Sequence, residues 1–210
     1  MGSQDYIVYV VDDDVALREA LCELFAARHV SSAAFGSVAE YVAYPKPDLP
    51  ACLILDIELP GITGLDFQRQ LGTDYHPPIV FITGHGDIPS SVRAIKDGAV
   101  DFLPKPFSEH SLMSAIDVAI ARDVQARVER AERAALQQRY ALLTPRESEV
   151  LPLVVSGLLN KQAAAELGIS EVTLQLHRRR IMQKMAADSF ADLVRMAGRL
   201  NIALQRRSQQ

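Results

Sequence analysis

The sequence predicts an α/β doubly wound parallel sheet followed by an all-helical part. Three observations carry that prediction. In the first half, near-continuous apolar, β-branched runs alternate with segments of helical period. In the second half only helical period remains. Charge divides along the same line. Through Arg122 there are 17 Asp and Glu against 8 Lys and Arg, a balance of −9; from Asp123 onward there are 9 against 14, a balance of +5. An acidic half joined to a basic half reads as two domains, with any nucleic acid meeting the second.

The first half opens with "YIVYVV", an apolar run of strand type, followed by "DVALREALCELFAAR" at helical period. Further strands are read at "CLILDI", "PIVFIT" and, shorter, "VDFL". Helical segments lie at "SVAEYVAY", "GLDFQRQL", "DIPSSVRAIKDG" and "SEHSLMSAIDVAIARD". Strands this uniformly apolar are covered on both faces, which parallel strands with helical crossovers require. In such folds ligands bind beyond the carboxyl ends of the strands.

Between the halves, Ile116, Ile120, Val124, Val128, Ala131 and Ala135 recur at three- and four-residue spacing among Arg, Glu, Asp and Gln. This predicts that the last helix of the first domain runs on into a long amphipathic linker helix. Its narrow stripe either meets a partner helix or is simply solvated.

Composition narrows the class. Of 210 residues, 49% are apolar and 23% charged, the profile of a globular protein. No apolar run approaches the roughly 20 residues of a membrane span, and no signal-peptide pattern opens the chain. Cys22 and Cys52 both sit in apolar patterns, so inert core thiols and a reducing cytoplasm are expected rather than a disulfide framework. His29, His76 and His110 lack metal-ligand spacing and read as surface or helix-end residues.

Chemistry gathers where the strands end. The first runs into three mutually repelling carboxylates, Asp12, Asp13 and Asp14. Asp14 reads as the N-cap of the following helix. Another strand ends in Asp56, and the fold places it on the same sheet edge as Asp12 and Asp13. Such an anionic cluster has perturbed pKa values unless a cation neutralises it, and hard oxygen ligands favour Mg²⁺. "VFIT" ends in Thr83, a hydroxyl, and "DFLPK" in Lys105, a point charge suited to a phosphoryl oxygen.

Acid pair, central Asp, Thr and Lys, each at a successive strand end, resemble the pattern of a two-component receiver domain. The resemblance covers about residues 5–122 and implies a five-stranded, flavodoxin-like sheet. It implies that Asp56 is the phosphoacceptor, with Asp13 and Asp56 on Mg²⁺ and Asp12 acting partly through water. The third protein ligand would be the backbone carbonyl of Glu58, whose own carboxylate departs from many relatives. Thr83 and Phe102 match the switch pair, Lys105 the phosphoryl-binding cation, and Pro106 a position that is usually cis. His85 stands where relatives carry a side chain governing water access; a solvated loop histidine reads equally well.

In the basic half, Thr144, Pro145 and Glu147 form a helix start with capping-box spacing, and Gly157 a stop. Asn160 is read as the cap of "KQAAAEL" and Ser170 as the cap of "EVTLQLHRRRIMQKM", with "GIS" as the turn between. Two short helices across a Gly-containing turn make a helix-turn-helix. Val172, Leu174, Leu176, Ile181 and Met185 are expected on the inner face of its second helix. The "LTPRE" start and the "NKQ", "LGIS" and "VT" segments that follow resemble LuxR-type DNA-binding domains, here over residues 143–205, after a linker helix at 123–142. Together the two resemblances place the chain in the NarL/FixJ class of response regulators.

That resemblance implies a DNA-binding transcription regulator, not an enzyme. It puts Gln175, Leu176 and Arg179 toward bases, and Lys161, Thr173, His177 and Arg178 toward phosphates. Gln175 stands where many relatives carry Lys, and Gln pairs best with adenine. Ser189–Gly198 resembles the helix that pairs two such domains, with Leu193 and Met196 at its contact. The implied partners are a sensor histidine kinase, promoter DNA, a second copy on activation and RNA polymerase, with activation of transcription the family habit and no role for a membrane. Two other readings stay open: an aspartyl-phosphate phosphatase with Glu58 as acid/base, and a regulator that works through its linker helix without phosphorylation.

Overall fold

The computed structural model describes residues 6–72, 75–84 and 88–202. The chain divides into two units, through Arg127 and from Val128.

The first unit alternates strands and helices: β1 Ile7–Val11, α1 Val15–Ala27, β2 Ser31–Phe35, α2 Val38–Ala43, β3 Ala51–Asp56, α3 Gly64–Leu71, β4 Ile79–Thr83, α4 Ile88–Lys96, β5 Asp101–Pro104 and α5 Glu109–Ala141. The five strands are parallel in the order β2-β1-β3-β4-β5, as the doubly wound prediction requires. Side chains alternate between the faces. Val8 and Val10 of β1 join Leu21 and Phe25 of α1 and Leu112 and Ile116 of α5 on one face. Ile7, Tyr9 and Val11 join Tyr41 of α2, Phe67 of α3 and Ala94 of α4 on the other. Both faces are covered, which explains why β1, β3 and β4 are buried throughout and apolar up to the Asp56 and Thr83 that end β3 and β4.

β2 has no counterpart among the strand segments read from the sequence. "SSAAF" lacks a branched apolar run because β2 is an edge strand and only Phe35 is fully buried. Asp14 caps α1, its carboxylate accepting from the N–H groups of Ala16 and Leu17. Gly64 opens α3 at a point of close approach: a Cβ there would lie 2.2 Å from the Asp56 carbonyl oxygen.

α5 is one 33-residue helix, as its periodicity predicts. Ile116 is buried, whereas Val124, Val128, Ala131 and Ala135 are exposed.

The second unit holds α6 Pro145–Val155, α7 Asn160–Leu167, α8 Glu171–Met185 and α9 Phe190–Arg199 around an apolar core. Thr144 and Glu147 form the expected capping box on α6. Gly168, left-handed at φ 64°, ends α7, and Ser170 caps α8, which completes the helix-turn-helix.

Three expectations need correction here. Asn160 is the first residue of α7, not its cap. Leu159 holds the cap position and its N–H is satisfied by Gln162 Oε1 at 3.0 Å. Val172 and Leu176 of α8 face outward, 77% and 47% exposed. At 100° per residue the inner face set by Leu174, Ile181 and Met185 cannot include them. Leu193 of α9 is wholly buried in its own core, so it is not available to pair two copies; Met196 is half-buried beside it.

Candidate functional site

The carboxyl ends of β1, β3, β4 and β5 share one sheet edge. Asp12 and Asp13 follow β1, Asp56 and Thr83 end β3 and β4, and Lys105 follows β5. The gap between the β1 and β3 ends is the point where strand order reverses, where open sheets place ligands. Asp12 and Asp56 are buried and Asp13 is exposed, with carboxylate oxygens of all three within 4.8 Å of one another. Lys105 Nζ donates to Asp12 Oδ2 at 2.7 Å and to Asp56 Oδ2 at 2.8 Å.

The charges explain the titration. Burial raises the Asp12 carboxyl above its ordinary range despite the hydrogen bond from Lys105, and nearby Asp56 adds to the rise. Burial lowers the Lys105 ammonium, but its bonds to Asp12 and Asp56 outweigh that and leave it raised.

The backbone around these groups is held tightly. Asp12 Oδ1 accepts from the Asp14 N–H at 2.8 Å, and Asp56 Oδ1 from the Glu58 N–H at 3.1 Å. Arg18 Nη1 donates to the Asp12 carbonyl at 2.6 Å. Sequence reading missed Arg18, because an Arg on an exposed helix face carries no signal of where it reaches. The Glu58 side chain is exposed. Thr83 is wholly buried, and its carbonyl accepts from the Lys105 N–H at 2.7 Å. Phe102 is half-buried, packed against the aromatic face of the sheet. The Lys105–Pro106 peptide is cis, as expected. His85 lies outside the described residues.

This donor set fits a hard divalent cation: oxygens only, two carboxylates rigid and one open to solvent. Asp12, Asp13 and Asp56 would hold Mg²⁺ there. Among the described residues no other group of His, Cys, Asp and Glu is gathered this way.

The second site is the outer face of α8. Gln175, Leu176, Arg179 and Arg180 are exposed on it, and Lys161 is exposed on α7. Thr173 is half-buried, its hydroxyl 2.9 Å from that of Ser170. Arg178 is held inside the unit: its guanidinium lies 4.3 Å from the Phe190 ring centroid, and Nη1 donates to Asn160 Oδ1 at 3.3 Å. His177 is half-buried, and its Nδ1 has no hydrogen-bond partner among the described residues. Arg179 and Gln175 therefore stand freest to meet a groove. Beneath them Glu147, 2% exposed, ties α6 to α8 by accepting from Lys184 Nζ at 2.6 Å.

Comparison with known proteins bears on both sites. Residues 8–117 match the response regulator receiver domain, and residues 141–197 match the bacterial regulatory proteins of the luxR family. Nodulation protein W of Bradyrhizobium diazoefficiens is 47% identical over 203 residues, 96% of this chain and 89% of that protein. Response regulator protein TodT of Pseudomonas putida is 43% identical over 206 residues, 98% of this chain and 91% of that one. Among solved structures, the response regulator StyR aligns with a TM-score of 0.77 at 42% identity, over 92% of this chain and 98% of StyR. Full-length FixJ from B. japonicum aligns at 0.54 and 34% identity, over 96% and 99%.

Proposed function

This chain belongs to the response regulators of the NarL/FixJ type, phosphorylation-dependent transcription regulators that join a receiver to a LuxR-type DNA-binding domain, and on that premise we propose that Asp56 takes a phosphoryl group from a sensor histidine kinase and so licenses promoter binding. The observation that carries this reading is Lys105 bridging the two buried carboxylates Asp12 and Asp56 beside exposed Asp13.

An oxygen of Asp56 attacks phosphorus in line, the P–N bond of the phosphohistidine breaks with its electron pair passing to the imidazole nitrogen, and that nitrogen takes up a proton from water. Mg²⁺, when bound, neutralises charge on the transferred oxygens. Lys105 exchanges one carboxylate contact for a phosphoryl oxygen, and the Thr83 hydroxyl turns toward another. Phe102 repacks into the space Thr83 leaves, which converts a local shift into an altered face on α4 and β5. That face joins two receivers, and two helix-turn-helix units then read an inverted repeat. Gln175 and Arg179 contact bases; Lys161 supplies phosphate contact. Contact with RNA polymerase and activation of transcription complete the proposal.

The protein accepts phosphate stoichiometrically and is not a turnover enzyme. Glu58 shares the spacing of a phosphatase acid/base, which is the one observation favouring that second reading. Intact mass after phosphoramidate and Mg²⁺, light scattering with beryllofluoride, and p-nitrophenyl phosphate turnover test all of this together. The proposal expects one phosphoryl group on wild type and none on Asp56→Asn, dimers on activation, and no turnover. Equal labelling of both proteins would overturn it.

A further inference from the structure

Asp123 lies in α5 with its carboxylate wholly buried at the edge of the sheet opposite Asp56. Its Oδ2 accepts from the Ala51 N–H at 2.9 Å and from Arg127 Nε at 2.8 Å. Its Oδ1 accepts from the Tyr75 hydroxyl at 2.7 Å. Arg127 in turn pairs with Asp48 and stands 5.3 Å from the centre of the Tyr75 ring.

Two features of this cluster go together. First, Ala51 opens β3 and Tyr75 lies on the lead-in to β4, and the far ends of those strands carry Asp56 and Thr83. One carboxylate therefore holds the start of β3 and the segment leading into β4, the strands that bear the phosphoacceptor and the switch hydroxyl. The span along β3 is about 17 Å of hydrogen-bonded strand. Second, the apolar anchorage of α5 ends just before Asp123. Ala119 is buried and Ile120 partly so, but Val124 and Val128 are exposed. Asp123 and Arg127 tie α5 to the first unit, which ends at Arg127.

We propose that Asp123 is a positioning residue that transmits the state of the Asp56 site, through β3 and β4, to the linker part of α5. A buried carboxylate with donors on three sides tolerates little change in their spacing, because losing any one leaves a buried carboxylate oxygen short of a hydrogen bond. A relative shift of β3 and β4 on phosphorylation is then felt at Asp123 as loss or gain of the Tyr75 bond. An apolar contact would absorb the same shift without a discrete change. The inference rests on the reading of Asp56 as phosphoacceptor.

Hydrogen exchange of the full chain, with and without Mg²⁺ and beryllofluoride, tests it on wild type, Asp123→Asn and Tyr75→Phe. In wild type, activation changes exchange both at the end of β3 and over residues 124–135. In both variants the β3 end still responds, the linker response is lost, and basal linker exchange rises about tenfold. A linker response that survives in Tyr75→Phe, whose fold loses only a hydroxyl, overturns the inference while leaving the phosphoacceptor reading intact. No response at the β3 end of wild type sinks the phosphoacceptor reading instead. The basal comparison still decides the anchor: linker exchange unchanged in both variants overturns it.

Discussion

Replacing Glu147 by Gln removes a single charge from the core of the DNA-binding unit while keeping the side chain's shape. Burial pushes this carboxyl up, but the Lys184 ammonium at 2.6 Å and the Thr144 N–H at 2.8 Å outweigh it and hold the pKa at about 2, against 4.5 ordinarily. A depressed acid stabilises the fold above its unfolded pKa and loses that contribution as pH falls through the folded value. The gap corresponds to at most about 3–4 kcal/mol. Lys184 is 33% exposed, so solvent screening reduces the expected loss to about 2 kcal/mol at neutral pH. The Gln oxygen still accepts from Thr144, so the capping box survives. Urea midpoints, read by pulsed hydrogen exchange on peptides from α6 and α8, isolate this unit. Wild type and variant should differ by about 2 kcal/mol near pH 7 and by about 1 kcal/mol or less near pH 3, where the wild-type advantage is fading. A difference of equal size at both pH values, or none near pH 7, refutes the electrostatic account of this contact.

Three further outcomes follow from the same geometry. Gly64→Ala should cost roughly 3 kcal/mol or more in thermal unfolding, since backbone rather than a flexible side chain blocks the new methyl; a melting temperature within a degree or so of wild type would show that the α3 start is free to shift. Mg²⁺ affinity, followed by calorimetric titration, should fall as pH drops and do so at a higher pH than an ordinary aspartate would dictate, because raised Asp12 must ionise before it can serve; a flat profile down to about pH 4 contradicts that. Lys161→Ala should weaken binding to mixed-sequence duplex DNA about equally for all sequences and reduce the salt slope by about 1, whereas an unchanged slope removes Lys161 from the phosphate contacts.

The receiver site was legible because its residues sit where a change of pattern marks them. An acid, a hydroxyl and a lysine directly after apolar runs are conspicuous, and a parallel sheet brings such run-ends to one edge. β2 was not legible: an edge strand needs little burial, so "SSAAF" carries no run to read. Asp123 was hidden for the opposite reason. An acid among Arg, Gln and Ala at helical period looks like a solvated face, and only the tertiary approach of Ala51 and Tyr75 buries it. In the basic half, Thr144 and Ser170 announced their helices by local chemistry. Asn160 misled because it has the chemistry of a cap one residue too late, and spends its oxygen on Arg178 instead. Leu193 was expected at a dimer contact; its complete burial could be decided only by the packing of α9 on the neighbouring helices.

On the proposed function, Asp56 governs what α8 can do on DNA. The most direct test of this is the affinity of the full chain for duplexes selected from a random pool, measured with and without phosphoramidate and Mg²⁺ at fixed salt. Wild type should tighten at least about tenfold on phosphorylation, while Asp56→Asn stays at the unphosphorylated level. Equal affinity in all four states would contradict the account and leave the receiver site without authority over the DNA-binding unit.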